Sequence, residues 1–360
     1  MSAHRAPELM RQQNRTVILE TIQERGPISR VELARLLKLN PATVTRITRV
    51  LLEEGLIQES GEGINTGTGR KPVLLSFNLR ARLLIGLHLT PHDMTGIVTD
   101  MAGNILARQT LLAPTVSAHT TQTLIHELLS ADPSYQRCLA AVCLNTTHNS
   151  EALAATVSAL QESIGVPVCV EETAILAALG EAEWGAAHGQ SHFALLYLDE
   201  ISRSCAYLDG TLHAGGMGTD AALQPLSARL NSRHIVARAQ TLLDEFPESA
   251  FGQLTASVRL SVGVVFEAAR QHDPLALALL DEVIADLAQA VAHVSDVLAL
   301  DFLVLGGTWQ QAADVLIPAV QKHLTGRGGP APTLIGSGLG TDAPLLGAIK
   351  RALELVDIVA

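Results

Sequence analysis

The hydrophobic pattern of the first eighty residues predicts three helices. The first is indicated by apolar positions that share one face: Leu9, Val17, Ile18 and Ile22. It is expected to end at Gly26, and the second helix begins with Ser29 three residues before Glu32. That capping-box spacing satisfies free amides at a helix N-terminus. The third helix has Asn40 as its cap and Pro41 at the first helical position, where the missing N–H costs nothing.

The third helix, over residues 41–55, has two different faces. Its apolar face is formed by Val44, Ile47 and Leu51. Its other face is small and basic, and it is formed by Ala42, Thr45, Arg46 and Arg49. Two short helices joined by a tight turn, the second with a basic polar face, describe a helix-turn-helix. The second helix of such a pair enters the major groove of DNA with its N-terminal half at the base edges.

A β-hairpin is predicted after these helices. Apolar runs at 55–58 and 73–77 flank a tip rich in Gly, Asn and Thr, and Arg70 and Lys71 follow this tip directly. A flexible backbone carrying Arg and Lys suits insertion into a narrow minor groove, where the negative potential is strongest. Residues 1–80 are therefore predicted to form a winged helix-turn-helix domain.

A helical bundle with solvated arginines is the alternative for this region, but cap, turn, two-faced helix and basic hairpin occur together and in order, which favours DNA binding. One such module holds only a small site, so specific binding implies a dimer on a palindromic operator. The predicted DNA contacts are Ser29, Arg30, Thr43, Thr45, Arg46, Arg49, Thr68, Arg70 and Lys71.

From Leu83 onward, strand-like and helix-like segments alternate, which predicts an α/β fold. The predicted strands are 83–89, 94–100, 105–113, 138–145, 166–172, 192–200, 202–213 and 301–307. The predicted helices are 120–130, 149–165, 173–187, 233–245, 256–271, 274–299 and a final one after the glycine turn at 336–340. Both halves open with hairpin strands, so we predict a duplicated fold with a cleft between two lobes. The expected lobes are 81–190 and 191–360, with the C-terminal helix returning to the first.

Charge is divided unevenly along the chain. Residues 1–80 hold 12 Lys/Arg and 8 Asp/Glu, whereas the remaining residues hold 13 and 28. A basic N-terminal piece on an acidic body indicates that only the first piece meets a polyanion.

The composition limits the kind of core and the location expected for the protein, but it does not by itself indicate a function. Hydrophobic residues make up 48% of the 360 residues and aromatic residues only 3%, so Leu, Val, Ile and Ala must fill the core. The four cysteines show no C-x-x-C spacing and are expected to be buried, reduced thiols. The N-terminus has no apolar signal core and no apolar run reaches the length of a membrane span, so a cytoplasmic location is expected.

The order of these elements resembles the ROK family of repressors and sugar kinases. The wing "GTGRKPVLLSFN" is similar to the Arg-Gly-Arg-Pro wing of the family's repressors, with Lys71 as a departure. The segments that resemble the body are "IGLHLTPHDMTGIVTDMAGNIL", "PVCVEETAILAALGEAEWG", "LVLGG" and "GLGTDAPLLGAIKRAL". The resemblance implies a two-lobed body of the actin/hexokinase (ribonuclease H-like) type.

Several positions depart from the residues that the resemblance would place there. The Asp of the family's phosphate hairpin falls on His88, and Pro91, in the following Gly-Gly-Thr stretch, has no N–H to offer a phosphate. The sugar-contacting Asn and the catalytic Asp fall on Glu172 and Thr173. Threonine does not act as a general base near neutral pH without its own activator.

The second half departs as well. The glycine-rich phosphate loop falls on residues 199–205, which contain no glycine and place Asp199 and Glu200 where a phosphate would lie. The sugar- and zinc-binding motif falls on 221–225, read as Ala-Ala-Leu-Gln-Pro, and no cysteine loop follows. His234 alone does not make a structural zinc site.

The resulting prediction is a DNA-binding transcriptional regulator, a repressor by resemblance, with a catalytically inactive, sugar-kinase-like body and no cofactor or metal. The expected partners are a palindromic DNA operator, a sugar-like effector and a second copy of the chain, as a homodimer or a dimer of dimers. Candidate effector contacts are His88, His92, Asn145, Glu171, Glu172 and His213. The alternatives are a divergent ATP-dependent sugar kinase with an attached DNA-binding domain, and a DNA-binding dimer that responds to no ligand. The effector, the operator and the choice between repressor and activator stay open.

Overall fold

The structure is a computed structural model that describes residues 5–63, 71–90, 93–112, 117–146, 151–214, 226–251, 260–326 and 331–356. Across these residues, no helix combines the length and the apolar character needed to cross a membrane.

The N-terminal region folds as a winged helix. Its elements are α1 (Arg5–Arg25), β1 (Ile28–Ser29), α2 (Arg30–Leu37), α3 (Pro41–Glu53), β2 (Ile57–Glu62) and β3 (Val73–Phe77). The three strands form an antiparallel sheet in the order β1-β3-β2. The pairing of β1 with β3 was not expected, because two residues ahead of a helix cap are too few to show a strand pattern.

Both expected helix caps are confirmed. The Ser29 hydroxyl accepts a hydrogen bond from the Glu32 amide at 3.2 Å, and the Glu32 carboxylate accepts one from the Ser29 amide at 3.1 Å. The Ser29 hydroxyl also donates to the Glu32 carboxylate at 2.8 Å, and this bond, together with the one from the Ser29 amide, lowers the pKa of Glu32. The Asn40 side chain accepts from the Ala42 amide at 2.9 Å. The expected apolar face of α3 lies in the domain core, because Val44, Ile47 and Leu51 are buried there.

The first-lobe sheet has the strand order β6-β5-β4-β7-β8. Strands β4, β5 and β6 are antiparallel, and β7 and β8 continue parallel to β4. The elements around it are β4 (Leu83–Leu89), β5 (Asp93–Thr99), β6 (Ile105–Leu112), α4 (Ala118–Leu129), α5 (Tyr135–Cys138), β7 (Leu139–Thr146), α6 (Glu151–Ile164), β8 (Val168–Glu172) and α7 (Thr173–Trp184).

The second-lobe sheet repeats this plan with the order β11-β10-β9-β12-β13. Its first three strands are antiparallel and the last two are parallel to β9, so the expected duplication of the fold is confirmed. The elements are β9 (His192–Tyr197), β10 (Arg203–Leu208), β11 (Thr211–Ala214), α8 (Ser232–Leu242), α9 (Val262–Arg270), α10 (Pro274–Leu298), β12 (Phe302–Gly306), α11 (Ala313–Thr325), β13 (Thr333–Gly336) and α12 (Ala343–Leu353).

Three features of this lobe differ from the expectation. The segment 202–213 is two strands rather than one, because Asp209 and Gly210 both take positive φ and form a hairpin turn. Helix α11 and strand β13 were not expected. Pro318 lies inside α11 and reads as a helix breaker in sequence, yet the helix continues through it with Leu316, Val320 and Leu324 buried in the core.

The C-terminal helix α12 lies on the first lobe. Leu345, Ala348 and Ile349 pack with first-lobe residues that include Leu84 and Leu176. The contact is close enough that a β-carbon on Gly347 would stand 1.6 Å from the carbonyl oxygen of Leu176 on α7.

All four cysteines are free thiols. Cys143 and Cys205 are buried, whereas Cys138 and Cys169 are partly exposed.

Candidate nucleic-acid interface and interlobe cleft

Helix α3 presents its small, basic face to solvent. Ala42, Thr45, Arg46 and Arg49 are exposed, whereas Thr43 is half-buried. Arg46 has no hydrogen-bond or ion-pair partner among the described residues. Arg49 lies 3.8 Å from Glu53 in an ion pair whose side chains are 72% and 68% exposed, so solvent screens it and it competes little with a phosphate. Apart from this weak, solvent-screened ion pair, the basic side chains of the face have no described contact that DNA would have to replace.

Two of the predicted DNA contacts are engaged inside the domain. Ser29 is 3% exposed and its hydroxyl caps α2. The Arg30 guanidinium donates to the Thr48 hydroxyl of α3 at 3.1 Å and to Glu59 of β2 at 3.4 Å. These bonds connect the N-terminus of α2 to helix α3 and to strand β2 of the wing. In this arrangement the side chains of Ser29 and Arg30 hold α2, α3 and β2 together, and direct contact of either residue with DNA stays a prediction.

The wing strands are present, with Lys71 at the start of the returning chain. Lys71 and Glu62 form an ion pair at 3.5 Å, and both side chains are 60% exposed. Thr68 and Arg70 lie outside the described residues. Their insertion into a minor groove therefore stays a prediction.

The candidate effector residues of the first lobe gather at the carboxyl ends of its parallel strands. Asn145 of β7 is fully buried, and Asn145 and Glu171 are paired across β7 and β8. The Asn145 side chain donates to the Leu89 carbonyl at 3.2 Å and to the Thr173 hydroxyl at 2.8 Å. Asn145 thus fixes the ends of β4 and β7 to the start of α7.

His88 lies on β4 at the same edge. Its Nδ1 atom is enclosed and has no hydrogen-bond partner among the described residues. Burial lowers the pKa of the His88 imidazole, against the opposing charges of Asp93 and Asp342. The ring is therefore neutral near pH 7 and offers a hydrogen-bonding nitrogen rather than a charge.

Both candidate carboxylates are already paired with arginines. Arg351 of α12 reaches Glu171 at 2.6 Å, and Arg203 of β10 reaches Glu172 at 2.9 Å. Sequence reasoning singled out neither arginine, because the partners are 180 and 31 positions apart and no local pattern links them. An effector would have to replace one of these ion pairs or bind beside them.

The remaining two candidates are His213 and His92. His213 lies on β11 of the second-lobe sheet, opposite Ala206. His92 lies outside the described residues. Their place in an effector site stays a prediction.

The acidic loop after β9 is held by the chain itself. The Asp199 carboxylate accepts from the Thr308 hydroxyl at 3.1 Å and from the Glu200 amide at 2.9 Å. Glu200 pairs with Arg233 at 2.8 Å. Burial raises the pKa of Asp199, and the hydrogen bond from Thr308 opposes the rise. The Thr308 hydroxyl and the Glu200 amide, which lie beside the ends of β12 and β9, are thus already hydrogen-bonded to the Asp199 carboxylate.

We expect Asp199→Asn to raise the melting temperature at neutral pH. Because the folded-state pKa of Asp199 is raised above its ordinary value of 3.8, its stabilising contribution is largest in acid and falls as pH rises through the folded-state pKa. Asparagine removes that penalty and still accepts the Thr308 hydrogen bond. Thermal unfolding across pH should show a gap that closes as pH falls towards 3.8.

Asp314→Asn is the matched control, and its expected change in melting temperature has the opposite sign. The pKa of Asp314 is lowered, chiefly by its hydrogen bond with Arg270, so this carboxylate stabilises the fold above its unfolded-state pKa and loses that effect in acid. The Asp314 variant should melt lower at neutral pH. A pH-independent gap in the Asp199 variant would contradict the account.

Zinc does not fit the described residues. Where the resemblance would place a cysteine loop, α8 carries His234 on its exposed side. Within the described ranges, no three His, Cys, Asp or Glu side chains converge in a way that could hold a metal ion.

The sequence and the fold match known proteins in two different ways. A family model described as "MarR family" matches residues 12–60. A putative xylose repressor from Caldicellulosiruptor sp. (strain Rt8B.4) is 22% identical over 87% of this chain and 88% of its own length. The DNA-binding transcriptional dual regulator NagC of Escherichia coli (strain K12) is 38% identical, but over only 37% of this chain and 32% of that protein.

One solved structure shares the fold of nearly the whole chain, and another shares the fold of its body. A ROK family transcriptional regulator, a homologue of the Escherichia coli MLC protein, superposes with a TM-score of 0.73 at 20% identity over 96% of both chains. A ROK family glucokinase from Streptomyces griseus superposes with a TM-score of 0.63 at 20% identity, over 76% of this chain and 99% of its own. The additional quarter of this chain corresponds in size to the winged helix. The fold that the resemblance implied is thereby confirmed: this chain has a winged helix-turn-helix followed by a body with the fold of the ROK structures.

Proposed function

We propose that this protein is a transcriptional repressor that binds a palindromic operator as a homodimer. The observation that carries the proposal is the exposed face of α3, where Arg46 lies among small side chains without a partner among the described residues, on a helix whose N-terminus is capped by Asn40. The similarity to repressors over nearly the whole chain supports it. Arginine reads guanine edges in the major groove, and wing residues add contacts beside it.

Selection from a random duplex pool tests this proposal. The expected result is one enriched motif with two-fold symmetry and half-sites about one DNA turn apart, roughly 34–36 Å. The same selection with a variant that carries Arg46→Ala and Arg49→Ala should enrich no motif. Equal enrichment by both proteins would sink the assignment of α3 as the reading element.

We further propose that the body senses a small molecule and does not transfer phosphate. Thr173 stands where the ROK resemblance places a catalytic Asp, and its hydroxyl is hydrogen-bonded to Asn145. The Asp199 carboxylate already accepts the hydrogen bond of the Thr308 hydroxyl beside the acidic loop. A phosphate would bring a second negative charge to this place and would be repelled. A ligand that closes the cleft would change the spacing of the two winged helices through its different affinities for the open and closed states.

Calorimetry and turnover separate this proposal from the sugar-kinase alternative that the fold also permits. ATP–Mg should give no binding heat and no ADP with any hexose, whereas one sugar or sugar derivative should bind. Sustained ADP formation with a hexose would establish the kinase. No binding by any sugar would favour a DNA-binding dimer without an effector.

A further inference from the structure

Helix α7 is shared by the two lobes. Its small side chains Ala174, Ala177 and Ala178 pack against second-lobe strands in a cluster that includes Phe193 and Leu195. Its other side packs with α12 in the cluster of the first lobe. Because α7 touches both sheets, any movement of one lobe relative to the other must occur along this helix.

Helices α7 and α12 form one rigid unit. A β-carbon on Gly180 would stand 2.4 Å from the Ala343 carbonyl oxygen, so the two backbones touch directly. The fully buried carboxylate of Glu181 adds a second connection, accepting from the amides of Gly338 and Leu339 at 3.0 and 3.1 Å. At Gly180 and Gly347 no side chain lies between the two backbones, so close packing restricts movement of one helix relative to the other.

The far end of α12 reaches the winged helix. Leu353 packs against the winged-helix core, and the buried residues Ala81 and Met101 belong to that same core. The Met101 amide donates to the Leu79 carbonyl at 3.1 Å, across the junction between the two regions. The solvent exchange of the Met101 amide therefore reports whether the winged helix stays docked.

Two neighbouring carboxylates connect this unit to the second lobe. Glu172 pairs with Arg203 of the second lobe at 2.9 Å, and Glu171 pairs with Arg351 of α12 at 2.6 Å. The Glu172 amide donates to the Glu171 carboxylate at 3.1 Å, so the two residues hold a common geometry. Arg351 lies two residues before Leu353, which contacts the winged-helix core.

We propose that the Glu171–Glu172 dipeptide couples the position of the second lobe to the docking of the winged helix. When the second lobe shifts, Arg203 moves Glu172, and Glu171 passes the change to Arg351 and the end of α12. The regulatory consequence of this coupling rests on the proposed function, because movement of the winged helix changes operator binding only if the protein binds DNA. The mechanical coupling itself is a property of the fold.

Three arginine variants of the full-length protein test the coupling. Arg203→Gln removes the ion pair with Glu172, and Arg351→Gln removes the pair with Glu171 together with the local pair with Glu354. The double variant removes both links of the proposed coupling. Arg238→Gln is the matched control, since Arg238 is also 38% exposed and pairs with Glu282 at 2.9 Å within the second lobe. Hydrogen–deuterium exchange is measured for the peptide that contains Met101, with circular dichroism to confirm that each variant is folded.

We expect Arg203→Gln to speed exchange at Met101 about fivefold or more, the lower end of usual coupling strengths. Arg238→Gln should leave that rate unchanged. If the two pairs act in series, the double variant should change the rate no more than the larger single variant does. Operator affinity, measured on the selected duplex, should change in the same variants and not in the control.

Unchanged exchange at Met101 in the Arg203 variant would overturn the coupling. So would fold-changes that multiply in the double variant, because independent ion pairs behave in that way. The exchange readout needs no DNA. A protein that selects no operator would therefore remove the proposed function while the exchange data still decide the coupling.

Discussion

Arg46→Ala is expected to weaken operator binding 10- to 100-fold and to relax base preference at one position of each half-site. A bidentate arginine–guanine contact is worth about 1–3 kcal/mol of discrimination, and truncating Arg46 removes no contact with the residues that the structure describes. Fluorescence anisotropy with the selected duplex gives the affinity, and single-base variants of that duplex give the base preference.

Arg35→Ala is the matched control for this prediction. Arg35 is also an exposed arginine of the helix-turn-helix, but it lies near the C-terminus of α2 rather than on the recognition face. Its removal should lower affinity slightly and equally for all sequences, as a loss of general electrostatic attraction does. Equal losses in the Arg35 and Arg46 variants would contradict a base-reading role for α3.

Gly347→Ala is expected to destabilise the body by about 3 kcal/mol or more, the upper end of overpacking costs. The added methyl group would stand 1.6 Å from the Leu176 carbonyl oxygen, which belongs to backbone and cannot turn away. We expect the melting temperature to fall by roughly 5–10 °C in a protein of this size. Because α12 also reaches the winged helix, operator affinity should fall with it.

Gly263→Ala supplies the control for the glycine prediction. Gly263 lies within helix α9, and a β-carbon there would stand 3.6 Å from the Gln311 side chain, an ordinary van der Waals distance. Alanine should therefore be neutral or stabilising by about 0.5–1 kcal/mol, because glycine lowers helix stability by that amount. A Gly347 variant that melts like the Gly263 variant would show that the helix crossing can relax.

Local rules predicted most of the winged helix and much of the body. The Ser29 and Asn40 caps, the two faces of α3 and the strand–helix alternation depend on residues within one or two turns of each other, and such signals are present in a single sequence. Helix α11 was not predicted. Proline usually ends a helix, but the packing of α11 in the core overrides the effect of Pro318.

The cleft was predictable only in part. Asn145, Glu171 and Glu172 were named as candidate effector contacts, and the parallel pairing of β7 and β8 does place them together. Their partners were not predictable, because Arg203 and Arg351 come from distant elements that only the fold brings close. The role of Glu181 was not predictable for the same reason. Its carboxylate accepts four hydrogen bonds, and one of the donors is the Ser337 hydroxyl, on a loop far along the chain.

The central claim is that the exposed face of α3 recognises one DNA sequence. Its most direct test is the affinity of the wild-type protein for the selected palindrome against a scrambled duplex of the same length and base composition, at about 150 mM salt. The account predicts a preference of roughly 1,000-fold or more, as specific regulators show. A preference below about tenfold would contradict it, because phosphate attraction alone produces binding of that kind.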